Sequence, residues 1–282
     1  MVINNSLKGV LEGYASGEIS LEEAELLIGG LRLDMIGSCA KIDTGRNIRC
    51  GIPEVVLAEN KDLPHLISIV DKITQANGRC LASRVTPAHA EELTKFAVEK
   101  GYIHEYNPEG RMFIMTRDEK VKARCEKRTG GIVGVITAGT SDIRVAEEAK
   151  VIAQEMGCVV KTAYDAGAAG IHRLFPAVKD LLDSHAFVVC AGREGTLPTV
   201  IAGLVDRPVI GVPVSVGYGY MGGGEAALAS MLQSCAVLTV VNIDAGFTAG
   251  AYAALIANMA AGASGSGNAK YAGNAENADE QR

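Results

Sequence analysis

Cys235 stands in the stretch LQSCAVLTVVNIDAG, where a helical pattern hands over to an apolar run. A thiol held ahead of a rigid strand can be aimed into a cleft. As a thiolate it is a strong nucleophile, provided nearby positive charge or a helix N-terminus lowers its pKa. The alternative is a small buried hydrophobe, a frequent role of free cysteine. Upstream, YDAGAAGIHRLFP brings Asp165, then small residues that let a ligand approach the backbone, then His172 and Arg173 at a helix start. Histidine shuttles protons near neutral pH. The arginine fork suits a carboxylate or a phosphate.

Two further segments carry polar groups in comparable settings. AGTSD supplies Gly139 for a tight turn and Thr140, Ser141 and Asp142 at a helix opening. Ser141 or Asp142 can cap that helix. Hydroxyls with unpaired N–H groups also favour an anion there, although Asp142 would repel a bare phosphate and suits a ribose hydroxyl or a cation better. CAGREGTLPTVIAG places Gly192, Glu194, Gly195 and Thr196 together. Glu194 can serve as base, ribose contact or magnesium ligand, or be an ordinary surface turn residue. GVPVSVGYGYMGGG follows, with Gly217, Gly222 and Gly223 among five glycines after Val214. Such a loop is either a mobile lid or a place where backbone meets ligand. Neither G-x-G-x-x-G nor G-x-x-x-x-G-K-[ST] occurs, which disfavours hydride transfer of the usual dinucleotide-binding kind.

Each of the loops from AGTSD to GYGYMGGG follows an apolar run. IVGVITA, CVVKTAY, AFVVCA, PVIGVPV and AVLTVVNI alternate with helical patterns beginning near Ser141, Ile171, Leu197, Gly224 and Phe247. The alternation predicts an α/β fold: a doubly wound parallel sheet covered by helices on both faces, so that its strands are apolar throughout. Ligands in that architecture sit outside the carboxyl ends of the strands. Ahead of it, residues 1–35 read as helical, with a Ser20–Glu23 capping box. Residues 36–117 read as a smaller α/β domain. PEVVLAEN, CLASRV, GYIHEYN and RMFIMT are its strands; DLPHLISIVDKITQA and PAHAEELTKFAVEK are its helices. The charged residues 118–131 read as a linker or a solvated helix. The parallel-sheet domain takes 132–260, and 261–282 reads as a disordered tail, too small and polar to bury a core.

A length of 282 residues suits two domains. The net charge of −6 argues against a general nucleic-acid binder. Seven cysteines without a C-x-x-C pair suggest neither a zinc site nor a disulfide framework. With no signal peptide and no apolar run of membrane-spanning length, a reducing cytoplasm is the expectation.

AGTSD, HR, AGREGTLPTVIAG and GVPVS, in that order, resemble the aminoimidazole ribonucleotide carboxylases and mutases over about residues 131–260. REGTLP departs from the purine enzymes' pattern, and the N-terminal region is extra to them. KIDTGRNIRCGIPEVVLAENK at 41–61 is similar to a segment of the LarB family, as are YDAGAAGIHRL, SVGYGYMGGGEAAL and LQSCAVLTVVNIDAGFTAG. That resemblance spans about residues 34–260. Thr44-Gly45 departs from a His-His pair common in the family.

The resemblance implies a carboxylase/hydrolase of nickel-pincer nucleotide biosynthesis. The substrates would be nicotinic acid adenine dinucleotide and carbon dioxide. The products would be pyridinium-3,5-biscarboxylic acid mononucleotide and AMP. The family's nucleophile falls on Cys235, with His172 or Glu194 as the base. Mg²⁺ near Asp142 and Glu194, with Ser141 close by, would serve the phosphoanhydride step, with no organic cofactor. The related fold also implies a homo-oligomer, commonly an octamer. Arg46, Arg49 and Glu54 would reach a cleft or a neighbouring subunit, or else form an ion network. An aminoimidazole ribonucleotide carboxylase or mutase is the competing expectation, and a non-catalytic nucleotide-binding subunit the third.

Overall fold

The computed structural model describes residues 7–30, 34–36, 40–43, 45–217 and 219–262. Thr44 and most of the expected tail (263–282) lie outside the described residues. The chain divides into two compact units, Met1–Cys125 and Glu126–Arg282.

The first unit opens with α1 (Leu7–Ala15) and α2 (Leu21–Gly30). The capping box forms as expected: Ser20 N–H donates to Glu23 at 2.8 Å, and Glu23 N–H donates to Ser20 Oγ at 3.1 Å. β1 (Asp34–Ile36) and β2 (Ala40–Ile42) pair as a short antiparallel ribbon. α3 (Arg46–Cys50) leads to β3 (Val55–Leu57), α4 (Leu63–Asn77), β4 (Arg79–Ser83), α5 (Pro87–Lys100), β5 (Ile103–Asn107), β6 (Met112–Thr116) and α6 (Glu119–Cys125). The sheet order is β3–β4–β6–β5, with only β3 and β4 parallel. It is a mixed sheet. Leu66, Val70 and Ile73 of α4 and Leu93 of α5 pack with Cys80 and Phe113 in its core. Arg46 pairs with Glu54 at 3.4 Å, and Arg49 pairs with Asp43. These two pairs fasten α3 to its own surroundings, which is the ion-network alternative.

The second unit alternates strand and helix throughout. Its elements are β7 (Ile132–Thr137), α7 (Ile143–Glu155), β8 (Val159–Ala163), α8 (Ile171–Lys179), β9 (Ala186–Ala191), α9 (Thr196–Ala202), β10 (Val209–Pro213), α10 (Glu225–Leu232), β11 (Thr239–Val240) and α11 (Gly246–Ala260). All strand pairs are parallel, in the order β11–β10–β9–β7–β8. This is the expected doubly wound fold. Alternate residues of each central strand serve opposite faces. Val188 and Cys190 of β9 pack under α7 and α11, while Phe187 and Val189 pack under α8, α9 and α10. Both faces are thereby buried, which is why the strands read as continuous apolar runs.

β11 corrects one expectation. AVLTVVNI was expected to be a fully buried strand, but only Thr239 and Val240 pair, on the sheet edge beside β10. Val237 is 96% exposed and Thr239 is exposed, with half-buried Leu238 between them. An edge strand has one neighbour, and branched apolar content cannot tell it from a central one. Among the described residues no helix is long and apolar enough to cross a membrane.

Candidate active site

Winding in the second unit reverses between β7 and β9, since β8 lies on one side of β7 and β9 to β11 on the other. Loops leaving the carboxyl ends of these strands diverge there and leave a crevice. A cavity of about 250 Å³ opens at that point. Its walls come from Ala138, Gly139, Ser141 and Asp142 after β7, residues 167–169 after β8, residues 193–197 after β9, and Val216 and Gly217 after β10. Four loops widely spaced in sequence therefore converge because the sheet places their strands side by side.

Of the residues expected to bind substrate, Gly139, Ser141, Asp142, Gly195, Thr196 and Gly217 line the cavity, together with Glu194. Thr140 shares the 3₁₀ turn with Ser141 and Asp142 and is exposed. Gly192 lies just behind the wall. A Cβ there would come within 3.0 Å of Asp142 Oδ1 and 2.9 Å of Val216 Cγ2. A Cβ on Gly217 would overlap the Gly192 carbonyl oxygen. The two glycines let opposite walls of the pocket touch through their backbones. Gly223 N–H donates to Gly217 O at 3.2 Å, so the glycine-rich loop folds back onto the pocket wall. Gly222 lies in the same turn.

Asp142 does not cap α7 with its side chain, as the sequence had suggested. Its carboxylate turns back to accept the Gly139 N–H at 2.8 Å and is 4% exposed. Burial pushes its carboxyl up to about 6, and the nearby charge of Glu194 adds to this; the Gly139 and Gly192 N–H groups pull the other way. A raised carboxyl pKa has a definite sign. From about pH 4 to pH 6 the unfolded chain has released this proton while the folded one keeps it, so stability falls as pH rises through that window. Urea unfolding of the parent and of Asp142→Asn should therefore diverge. The parent should lose on the order of 2 kcal/mol relative to the variant between pH 4 and pH 7, allowing for residual screening. Parallel curves would show that burial does not perturb this group.

Asp165, His172, Arg173 and Cys235 lie outside the cavity. Asp165 adopts φ 56° and donates its N–H to Thr137 Oγ1 at 3.0 Å. Its carboxylate accepts from Arg173 at 2.7 Å. The Arg173 fork, expected to bind a carboxylate or a phosphate of the substrate, pairs here with a carboxylate of the loop that precedes α8. His172 is exposed on the first turn of α8. Thr137, fully buried, was not among the sequence candidates, nor were Ala168, Ala169 and Val216. Only the small-residue run after β8 signalled any of them.

Cys235 is exposed and follows the C-terminal end of α10. Thr239 pairs with Ile210, so Cys235, four residues earlier, lies toward the amino ends of the strands. The cavity opens beyond their carboxyl ends. Cys235 itself does not line the cavity, although the neighbouring Ser234 hydroxyl meets Thr199 of α9, whose first turn does, at 2.8 Å. Cys80, Cys158 and Cys190 are buried, and burial pushes each of their thiols up, Cys158 to about 11. They are packing residues.

Among the described residues no group of three or more metal-ligating side chains occurs. Asp142 and Glu194 nevertheless share one cavity, and the Glu194 charge disfavours that of Asp142. Two carboxylates facing a space open to a phosphate fit Mg²⁺, which keeps much of its shell as water and substrate oxygens.

Comparison with known proteins matches residues 33–117 to the LarB/PurE-like N-terminal domain and residues 132–278 to the AIR carboxylase domain. The uncharacterized protein MJ0165 of Methanocaldococcus jannaschii is 40% identical over 262 residues, covering 91% of this chain and 99% of that protein. A probable N5-carboxyaminoimidazole ribonucleotide mutase of Methanothermobacter thermautotrophicus is 34% identical over 131 residues, covering 44% of this chain and 37% of that protein. The N5-carboxyaminoimidazole ribonucleotide mutase of M. jannaschii is 29% identical over 119 residues, covering 41% of this chain and 71% of that protein. With both domain matches in order, and with the parallel sheet and switch-point pocket in place, the chain belongs to the LarB family, carboxylase-type proteins with an AIR carboxylase second domain.

Proposed function

We propose that this protein carboxylates the pyridinium ring of nicotinic acid adenine dinucleotide and cleaves its phosphoanhydride, releasing AMP and pyridinium-3,5-biscarboxylic acid mononucleotide. The observation that carries the reading is the pairing of a LarB-type N-terminal domain with a switch-point cavity that holds two carboxylates and an exposed helix opening. A pyridinium ring is too electron-poor to attack carbon dioxide. Thiolate addition to a ring carbon breaks aromaticity and leaves an enamine whose neighbouring carbon is nucleophilic. That carbon bonds to carbon dioxide. Transfer of its hydrogen as a proton to a base, with expulsion of the thiolate, restores the aromatic ring. Glu194, inside the cavity, is the better-placed base of the two expected; His172 is exposed and outside it. Ser141 and the N–H groups opening α7 would receive a phosphate, and Asp142 a ribose hydroxyl. Mg²⁺ held by Asp142 and Glu194 would supply charge neutralisation at the phosphates.

The nucleophile in this reading is Cys235, and a second copy of the chain would supply it. In one chain Cys235 is exposed and is not among the residues that line the cavity. The cavity is also small beside the roughly 300–1,000 Å³ of a typical ligand site, which suits a pocket completed by another subunit. Leu232 and Val237, which flank Cys235, are 66% and 96% exposed, apolar surface that a second copy would cover. A homo-oligomer follows from the reading, and the octamer of the related fold is our expectation.

The second reading, a carboxylase or mutase acting on aminoimidazole ribonucleotide, is favoured by the two mutase relatives, each of which matches less than half of this chain. That substrate carries a nucleophilic enamine carbon already and needs no thiol. Incubation with labelled bicarbonate and each substrate separates the readings. Label in a pyridinium mononucleotide with release of AMP supports the first. Label in an imidazole product alone establishes the second. Binding without turnover of either would make the protein a nucleotide-binding subunit.

A further inference from the structure

Asp244 lies between β11 and α11, outside the cavity, with φ 55°. A left-handed backbone at a non-glycine residue costs free energy and persists where surrounding contacts require it. Those contacts radiate from one carboxylate. Oδ1 accepts the Ser215 N–H at 2.9 Å, and Oδ2 accepts the Ser215 hydroxyl at 2.5 Å. The Arg144 guanidinium reaches Oδ2 at 3.4 Å. The Asp244 N–H itself donates to Pro213 O at 2.9 Å, at the end of β10.

Both partners stand next to the pocket in sequence. Ser215 directly precedes Val216 and Gly217, which form one wall. Arg144 lies two residues after Asp142, on the other wall. These walls also meet through Gly192, wedged between Asp142 and Val216. A displacement of Ser215 would be passed to Val216 and Gly217 with little slack, because the Gly217–Gly192 approach leaves no room for even a Cβ.

We propose that Asp244 is a positioning residue: through Ser215 and Arg144 its carboxylate holds the Val216–Gly217 wall in register with the Asp142 wall and so sets the shape of the substrate pocket. The effect on turnover rests on the function proposed above; the effect on the wall does not. Charge-assisted bonds to a backbone N–H and a hydroxyl are stronger than neutral ones, and here they hold a loop end rather than a core.

The test uses the full-length oligomer and three variants. Asp244→Gly keeps the left-handed backbone accessible and removes the carboxylate. Asp244→Asn tolerates the same backbone and keeps one acceptor. Ser215→Ala keeps the backbone bond and loses the hydroxyl. Hydrogen exchange of the Ser215–Gly217 amides should rise at least about tenfold in Asp244→Gly and less in the other two. KM for nicotinic acid adenine dinucleotide should rise about tenfold or more while kcat changes less, with Asp244→Asn intermediate. Unchanged exchange in Asp244→Gly overturns the proposal, whatever the substrate proves to be. Raised exchange with an unchanged KM overturns the link to the pocket. A parent enzyme that does not turn over this dinucleotide refutes the proposed function, and the exchange comparison still decides whether Asp244 holds the wall. Should Asp244→Gly fail to fold, the same exchange comparison on Asp244→Asn and Ser215→Ala decides the matter.

Discussion

Cys235→Ala should abolish formation of the proposed dicarboxylated pyridinium product, lowering the rate by at least about 10³-fold, the scale on which loss of a covalent nucleophile is felt. Folding should be untouched, since the side chain is exposed. The sharper consequence concerns its partner. Gly217→Val should displace the cavity wall and be equally inactive, because a side chain there overlaps the Gly192 carbonyl. Neither variant works alone. If thiol and cavity come from different copies, oligomers reassembled from an equal mixture regain about a quarter of parental activity, the statistical share of sites pairing an intact cavity with an intact thiol. A mixture that stays inactive although mixed oligomers form would mean that one chain furnishes both parts. Retention of full activity by Cys235→Ala would instead remove the thiol from the chemistry.

Gly250→Ala destabilises the second unit by about 3 kcal/mol, near the upper end of what overpacking costs. The reason lies in how α11 covers the sheet. A Cβ on Gly250 would overlap the Ala149 carbonyl oxygen and lie 2.8 Å from Ala149 Cα, so α7 and α11 would have to separate. The clash is with backbone, which cannot turn aside as a side chain can. Ala249, Ala253, Ala254 and Ala257 of α11 share the core with Ala146 and Ala149 of α7, and this layer of small residues depends on that separation. Urea unfolding is the measurement. Met259→Ala, on the same helix but 79% exposed, should stay within about 0.5 kcal/mol of the parent. Equal midpoints for Gly250→Ala and the parent would show that the helices have room to spare.

The parallel-sheet fold was legible because both faces of the sheet are covered, so β7, β9 and β10 read as unbroken apolar runs. The cavity was legible for the same reason: its residues follow strands, and the loops after β7 and β9 diverge at the switch point. Residues that act through other residues were not legible. Thr137 supports Asp165, and Asp244 supports Ser215, across separations of 28 and 29 positions that only strand register closes. Apolar content hid the edge position of β11, where one neighbouring strand leaves Thr239 exposed.

The most direct measurement is intact-protein and peptide mass spectrometry of the oligomer trapped during turnover of nicotinic acid adenine dinucleotide with bicarbonate. The account predicts a pyridine-nucleotide adduct on the peptide that carries Cys235, absent from Cys235→Ala and from oligomers built wholly of Gly217→Val. Turnover with an unmodified Cys235, or an adduct that forms unchanged when every copy in the oligomer carries Gly217→Val, would contradict it.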